Sequence, residues 1–253
     1  MDYISQNLDI EILAKTDVGK KRTRNEDNFI QLPKSIGEIK AVLGVADGMG
    51  GHAAGDVASR IAVETFQEVF SRTSIGHRQI KDLLNDTFLM ANKEIVKKGK
   101  TNSEGSMGTT CTVAVFTGVE CHIGHVGDSR AYLMRDGELN QLTDDHSWVA
   151  QLVKDGHITN EQARVHPNRN VITKALGIDD DVKSDFIKLE IHSGDRLLIC
   201  SDGLHGLVED STICDFLREG SAEEMVDRLI EEANDNGGHD NITVAIAMFE
   251  QAI

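Results

Sequence analysis

Five short stretches set acidic residues beside small or polar neighbours at the ends of apolar runs: Asn25-Glu26-Asp27, Val45-Ala46-Asp47-Gly48, Val126-Gly127-Asp128-Ser129, Cys200-Ser201-Asp202-Gly203 and His239-Asp240-Asn241. At a strand end a short acid can point into a shared cleft. One Asp-Gly after a strand ordinarily reads as a turn. Two of them, Asp47-Gly48 and Asp202-Gly203, with three more strand-end acids, strain that reading. Like charges brought together need a cation or strongly raised pKa values. The donors on offer are carboxylate and carbonyl oxygens, with no cysteine cluster and no histidine pair at helical spacing. Such donors suit Mg(II), Mn(II) or Ca(II), whereas zinc normally recruits histidine or cysteine. The sequence has no EF-hand loop, so hard cations among several carboxylates point to phosphate chemistry. A phosphate-cradling glycine loop ending in Gly-Lys-Ser/Thr and a serine nucleophile elbow are both absent, which weakens P-loop hydrolysis and serine acyl transfer.

The elements that must carry these acids follow from periodicity. Strands are expected at Ile10–Ala14, Asn28–Leu32 and Ile39–Ala46, the last apolar almost throughout, as a strand buried on both faces would be. Helical spacing runs from His52 to Arg72 and over Ile80–Lys97. Short strands return at Thr109–Phe116, Glu120–His125, Ala131–Met134 and Glu138–Leu142, with Asp136-Gly137 supplying a tight hairpin turn. Residues 145–177 are polar, with short helical patterns at Trp148–Lys154 and Asn160–Arg164, and read as a surface excursion. Strands Asp185–Ile191 and Arg196–Cys200, helices Asp210–Arg218 and Ala222–Ala233, and a strand Ile242–Phe249 complete the pattern. Helix pairs between strand blocks predict an α+β arrangement with helices covering strand layers. No linker divides the chain, so one domain is expected.

Composition narrows the partners. With 26 Lys and Arg against 42 Asp and Glu, the net charge of −16 repels phosphate backbones and anionic lipid, which argues against nucleic-acid or membrane binding. The longest apolar runs are strand-sized, and the polar, acidic first residues lack a leader pattern. The four cysteines, Cys111, Cys121, Cys200 and Cys214, are widely spaced and read as reduced core thiols. A cytoplasmic location is expected.

Taken in order, Arg22-Thr23-Arg24-Asn25-Glu26-Asp27, Asp47-Gly48-Met49-Gly50-Gly51-His52, Gly108-Thr109-Thr110, Gly127-Asp128-Ser129-Arg130, Asp145-His146, Ser201-Asp202-Gly203 and Asp240-Asn241-Ile242-Thr243 resemble the metal-dependent protein phosphatases, the PPM or type 2C serine/threonine class, in its bacterial form. Each motif alone is weak; seven in order are a specific signal. The resemblance implies a β-sandwich of two antiparallel sheets flanked by helix pairs, within one domain over 8–250 and with a flap over about 147–175. It implies hydrolysis of phosphoserine and phosphothreonine by metal-activated water, with Mn(II) or Mg(II), two tight ions and a third weaker one. Carried over, Asp47 bridges two metals, Asp202 and Asp240 complete the first site, and Glu26 with the Gly48 carbonyl completes the second. Asp27 holds a metal-bound water, Asp128 shares a third metal with Asp202, and Arg22 binds phosphate. The partners implied are phosphorylated proteins, substrates of a cognate serine/threonine kinase, and a monomer is expected.

One departure stands out. Many eukaryotic members carry histidine after the Asp-Gly; here Met49 stands there and cannot donate a proton, so a metal-bound water is the plain substitute. His146 and His239 read equally well as hydrogen-bonded turn residues. His122, His125, His166, His192 and His205 show no ligand spacing, and Thr109 and Thr110 read as structural strand residues. Trp148 is expected to anchor the flap by packing. Two other functions remain open at this level: a phospho-binding relative without turnover, which the intact set Glu26, Asp47, Asp202 and Asp240 argues against, and a two-metal enzyme for small phosphoesters.

Overall fold

In chain order the elements are β1 (Leu8–Asp17), β2 (Asp27–Leu32), β3 (Ile39–Gly50), α1 (Ala54–Arg72), α2 (Ile80–Thr101), β4 (Met107–Thr109), β5 (Cys111–Thr117), β6 (Glu120–Val126), β7 (Arg130–Arg135), β8 (Glu138–Gln141), α3 (Trp148–Lys154), α4 (Asn160–Arg164), β9 (Asp185–Glu190), β10 (Arg196–Cys200), α5 (Asp202–His205), α6 (Asp210–Arg218), α7 (Ala222–Asp235) and β11 (Ile242–Gln251). They come from a computed structural model that describes residues 8–33, 37–50, 54–72, 79–101 and 107–252.

The strands form two antiparallel sheets, ordered β1-β11-β10-β7-β8 and β2-β3-β5-β6-β9, with β4 paired to the end of β3. Successive residues of a strand point to opposite faces, and two strands show how this builds layers. In β3, Ala41, Leu43 and Val45 face the other sheet, while Val42 and Ala46 face α1 and α2. In β11, Ala245, Ala247 and Phe249 enter the same inter-sheet core, and Val244, Ile246 and Met248 meet α6 and α7. Both faces of each are covered, hence the near-continuous apolar runs. Phe116 and Phe249 meet edge to face across the sandwich with centroids 5.3 Å apart. The result is an α-β-β-α stack, the expected α+β sandwich.

Several boundaries differ from the sequence reading. β3, expected to end at Ala46, runs on to Gly50 because Gly48, Met49 and Gly50 pair with Thr109, Gly108 and Met107. The expected run Thr109–Phe116 is two strands broken at Thr110. The short helix α5 begins on Asp202, and the first helix is described from Ala54, which leaves His52 outside the described residues. The β7–β8 hairpin turns on Asp136 (φ 53°) and Gly137 (φ 80°), the left-handed pair a two-residue turn requires. All four cysteines are buried and free. Trp148 corrects an expectation. It follows the N-cap Ser147 at the first position of α3, where it points outward and is 47% exposed. Val149 is the buried residue of that helix. Among the described residues no helix is long and apolar enough to cross a membrane.

Candidate metal centre

The acids lie at one end of the sandwich, and each sheet supplies some of them. Asp27 opens β2 directly opposite Asp47 in β3. Asp202 follows β10, Asp240 precedes β11, and Asp128 sits in the link that carries the chain from β6 in one sheet to β7 in the other.

Neutral side chains hold the acidic segments in place. The Asp47 N–H donates to Thr110 Oγ1 (3.0 Å), and its carbonyl accepts from the Thr109 hydroxyl (2.9 Å). Thr109 and Thr110 are thus structural, as expected, but the structure they serve is the site. The carboxylate Oδ2 of Asp27 accepts from the hydroxyls of Ser201 and Thr243, each at 2.7 Å, so the buried acid of one sheet is tied to the other. Asn241 Oδ1 accepts from the Glu26 N–H (2.9 Å), while its amide donates to the carbonyls of Val18 and Arg24. The Glu26 carbonyl accepts from Gly48 N–H and from the Ser59 hydroxyl of α1. A Cβ on Gly48 would lie 2.2 Å from the Gly55 carbonyl, so only glycine lets the start of α1 approach β3 here.

Burial and mutual repulsion act together on the charges. Burial, then the charges of Asp27, Asp202 and Asp128, hold Asp47 well above the ordinary carboxylate range. Burial, then Asp128 and Asp240, does the same to Asp202. Asp27 is pushed by burial to about 6 against the pull of its two hydroxyl donors, and Asp128 to about 7, by burial and then by Asp145. Glu26 is raised, chiefly by burial. Beside them Arg130 grips Asp145 with two nitrogens (Nε–Oδ1 2.9 Å, Nη2–Oδ2 2.8 Å). Burial opposes the Asp145 charge, but this grip outweighs it and holds that carboxyl below its usual value.

The donor set fits hard divalent cations. It is all oxygen, and two buried carboxylate atoms, Glu26 Oε1 and Asp128 Oδ1, have no hydrogen-bond partner among the described residues. Among the described residues no three acids converge on one point as a ready cage. Asp240, for one, accepts from Arg22 Nη2 (2.7 Å) and from the Asn241 N–H (2.9 Å). Arg22, its side chain 51% exposed, stands at the mouth of a cleft of about 860 Å³ that runs past Asp202, Asp128 and Arg130 beneath α3 and α4.

These charges make the cation-free protein sensitive to pH. Asp27 and Asp128 are raised to about 6 and about 7 from an ordinary 3.8, so between about pH 4 and 7 these two sites bind more protons in the folded state. Their contribution to stability falls as pH rises through that window, while buried His125 and His205, lowered to about 4 and about 3, contribute in the opposite sense. With chelator present, Asp128→Asn should therefore gain melting temperature over the parent protein by more at pH 7.5 than at pH 5.5, the difference being on the order of a few degrees. An equal gain at both pH values would contradict the raised value at Asp128.

Residues 20–245 match the family model described as Protein phosphatase 2C. The chain belongs to the protein phosphatase 2C family. It is 38% identical over 236 residues to the serine/threonine phosphatase stp of Listeria monocytogenes, covering 92% of this chain and 93% of that protein. It is 36% identical over 244 residues to the protein phosphatase PhpP of Streptococcus pneumoniae, covering 96% and 98%. Among solved structures, the catalytic domain of the serine/threonine protein phosphatase PstP in complex with two manganese ions matches with a TM-score of 0.85 at 37% identity, covering 96% of this chain and 100% of that one. The two-sheet sandwich with helices on its faces is the fold of this family member.

Neutral residues are what the sequence reading left unassigned in this protein phosphatase 2C centre. Ser201, Thr243 and Asn241 stand in the quoted motifs, but nothing in their type tells which acid they hold. His205, set aside for want of ligand spacing, is no ligand here either: its Nε2 lies 3.0 Å from the carbonyl of Asp128. Met49 lies in β3 beside Gly108 of β4.

Proposed function

We propose that this chain is a metal-dependent protein serine/threonine phosphatase that hydrolyses phosphoserine and phosphothreonine in phosphoproteins. The observation that carries the reading is the pair of unpartnered buried oxygens on Glu26 and Asp128 within an acid cluster at the cleft end of a protein phosphatase 2C domain. Mn(II) or Mg(II) fits there: Asp47, Asp202, Asp240, Glu26 and the Gly48 carbonyl would hold a tight pair of ions, and Asp128 with Asp202 would hold a weaker third. When bound, the ions supply Lewis acidity and a nucleophilic water at neutral pH. The chain's own part is positional. Asp27, held by Ser201 and Thr243, is a buried acceptor for a water at the centre. Arg22 at the mouth receives the phosphoryl group, and residues 147–175 form the flap that borders the cleft. The domain spans 8–250 and acts as a cytoplasmic monomer on proteins phosphorylated by a serine/threonine kinase. A panel of phosphoserine, phosphothreonine and phosphotyrosine peptides and small phosphoesters, with chelator and with Mn(II) restored, tests this. Turnover in excess chelator, or on small phosphoesters alone, would overturn it.

Arg22 gives a sharper test. Its guanidinium is the right fork for a phosphate, and its bond to Asp240 aims it at the cleft. Arg22→Ala should raise KM for a phosphothreonine peptide about tenfold while leaving the tight Mn(II) affinity nearly intact. Arg22→Lys should recover only part, since an ammonium lacks the two-pronged geometry. Unchanged kinetics in Arg22→Ala would make this residue a solvated partner of Asp240 and nothing more.

A further inference from the structure

The Gly127–Asp128 turn carries an acid whose Oδ1 is buried without a partner, so its exact placement has to come from the backbone on either side. That backbone is gripped from two directions. His146 takes one side. Its N–H donates to the Gly127 carbonyl (2.8 Å), and its ring Nδ1 accepts from the Gly127 N–H (3.0 Å). His205, three residues after Asp202 on α5, takes the other, with Nε2 3.0 Å from the Asp128 carbonyl.

The partners dictate the protons. A backbone N–H only donates, so Nδ1 of His146 carries no hydrogen; a carbonyl only accepts, so Nε2 of His205 carries one. The neutral ring of His146 then has its hydrogen on Nε2, which faces the Asp185 carboxylate at 3.2 Å. Lys174 lies 3.4 Å from the same nitrogen and 2.9 Å from Asp185, and so balances that acid. The plane of the ring is set as well. His125 stacks on it with centroids 4.8 Å apart and is itself fixed by Thr112 and the Asp144 carbonyl. Gly127 adopts φ +115°, and a Cβ there would strike Thr110 at 2.5 Å, so the turn has no slack on its third side.

We infer that His146 and His205 are positioning residues that clamp the Gly127–Asp128 turn and thereby set the Asp128 carboxylate against Asp47 and Asp202. Neither histidine needs to touch an ion or substrate. The clamp joins three parts of the chain. His146 lies at the entry to the flap and accepts from the Thr173 N–H at its exit (2.8 Å), while His205 belongs to the helical turn that starts on Asp202. The inference rests on the assignment of Asp128 to the acidic centre.

Isosteric swaps test it, because asparagine reproduces the Nδ1 position of histidine and glutamine the Nε2 position. At residue 146 the acceptor for Gly127 is what matters, so His146→Asn should retain most of the turnover and His146→Gln should lose about tenfold in kcat. At residue 205 the order inverts: His205→Gln should retain most and His205→Asn should lose about tenfold. In the impaired variants KM for a phosphothreonine peptide should stay near that of the parent, while calorimetric titration with Mn(II) shows the weakest binding step weakened further. Each variant is assayed well below its own melting temperature. Asparagine and glutamine behaving alike at both positions, or losses that simply follow melting temperature, would overturn the clamp. Asp128→Ala, run alongside, separates the two ideas. If it leaves turnover and Mn(II) binding untouched, the assignment of Asp128 fails and the clamp with it. If it is impaired while the swaps show no inversion, the clamp alone fails.

Discussion

Asp47→Asn should lower turnover of a phosphothreonine peptide about a thousandfold or more and, in the same protein, raise the melting temperature of the cation-free form. The two movements have one cause. Asp47 is the acid that burial and the charges of Asp27, Asp202, Asp128 and Asp240 all work against. Asparagine keeps its shape and one oxygen, so β3 and its bonds to Thr109 and Thr110 survive. What disappears is the negative charge, and with it the repulsion that weakens the cation-free fold and the ligand proposed for two cations. Loss of metal-dependent stabilisation of several kcal/mol in the transition state corresponds to about three orders of magnitude in rate. Differential scanning with and without Mn(II), beside a peptide assay, reads both effects. A variant that is inactive and also less stable without cations would point to a folding defect instead, and one that keeps turnover would remove Asp47 from the centre.

Asp128→Ala should separate holding cations from using them. The acid is 5% exposed, its Oδ1 is unpartnered, and burial holds its pKa near 7, so its removal relieves strain and the variant should fold. Glu26, Asp47, Asp202 and Asp240, the ligands proposed for the tight pair of ions, remain. Met49 has no proton to give a departing alkoxide, so an outer carboxylate and what it binds weigh more heavily here. Turnover should fall about a hundredfold, with the two tight Mn(II) binding steps in calorimetry little changed. Full turnover would dismiss the third position, and loss of the tight pair would move Asp128 into the inner set.

The acids were legible because charge at the end of an apolar strand is conspicuous. The periodicity of Asp210–Arg218 and the apolar run after Arg196 up to Cys200 also matched their elements to the residue. What escaped reading was whatever depends on a partner far along the chain. Asn241 shows no sign of the bond it receives from Glu26, 215 residues away, nor Ser201 of its bond to Asp27, 174 residues away. His205 carries no ligand spacing because its partner is a backbone carbonyl. The strand from Ile39 was expected to stop at Ala46 because the partner that carries it on to Gly50, β4, is only three residues long. Trp148 misled for another reason: its size suggested burial, whereas its place after a helix cap turned it outward.

The pairing of β1 with β11 has a consequence for how activity first appears in a newly made molecule. Leu8 is in register with Gln251 and Asp17 with Ile242, and β11 lies inside its sheet, between β1 and β10. A ribosome that has translated Glu26, Asp47 and Asp128 has therefore made most of the acids but no centre, because β1 still lacks its neighbour and Asp240 is not yet part of the chain. Such distant closures come late and slowly. A nascent chain therefore holds no complete set of these acids until β11 has been made and can insert between β1 and β10.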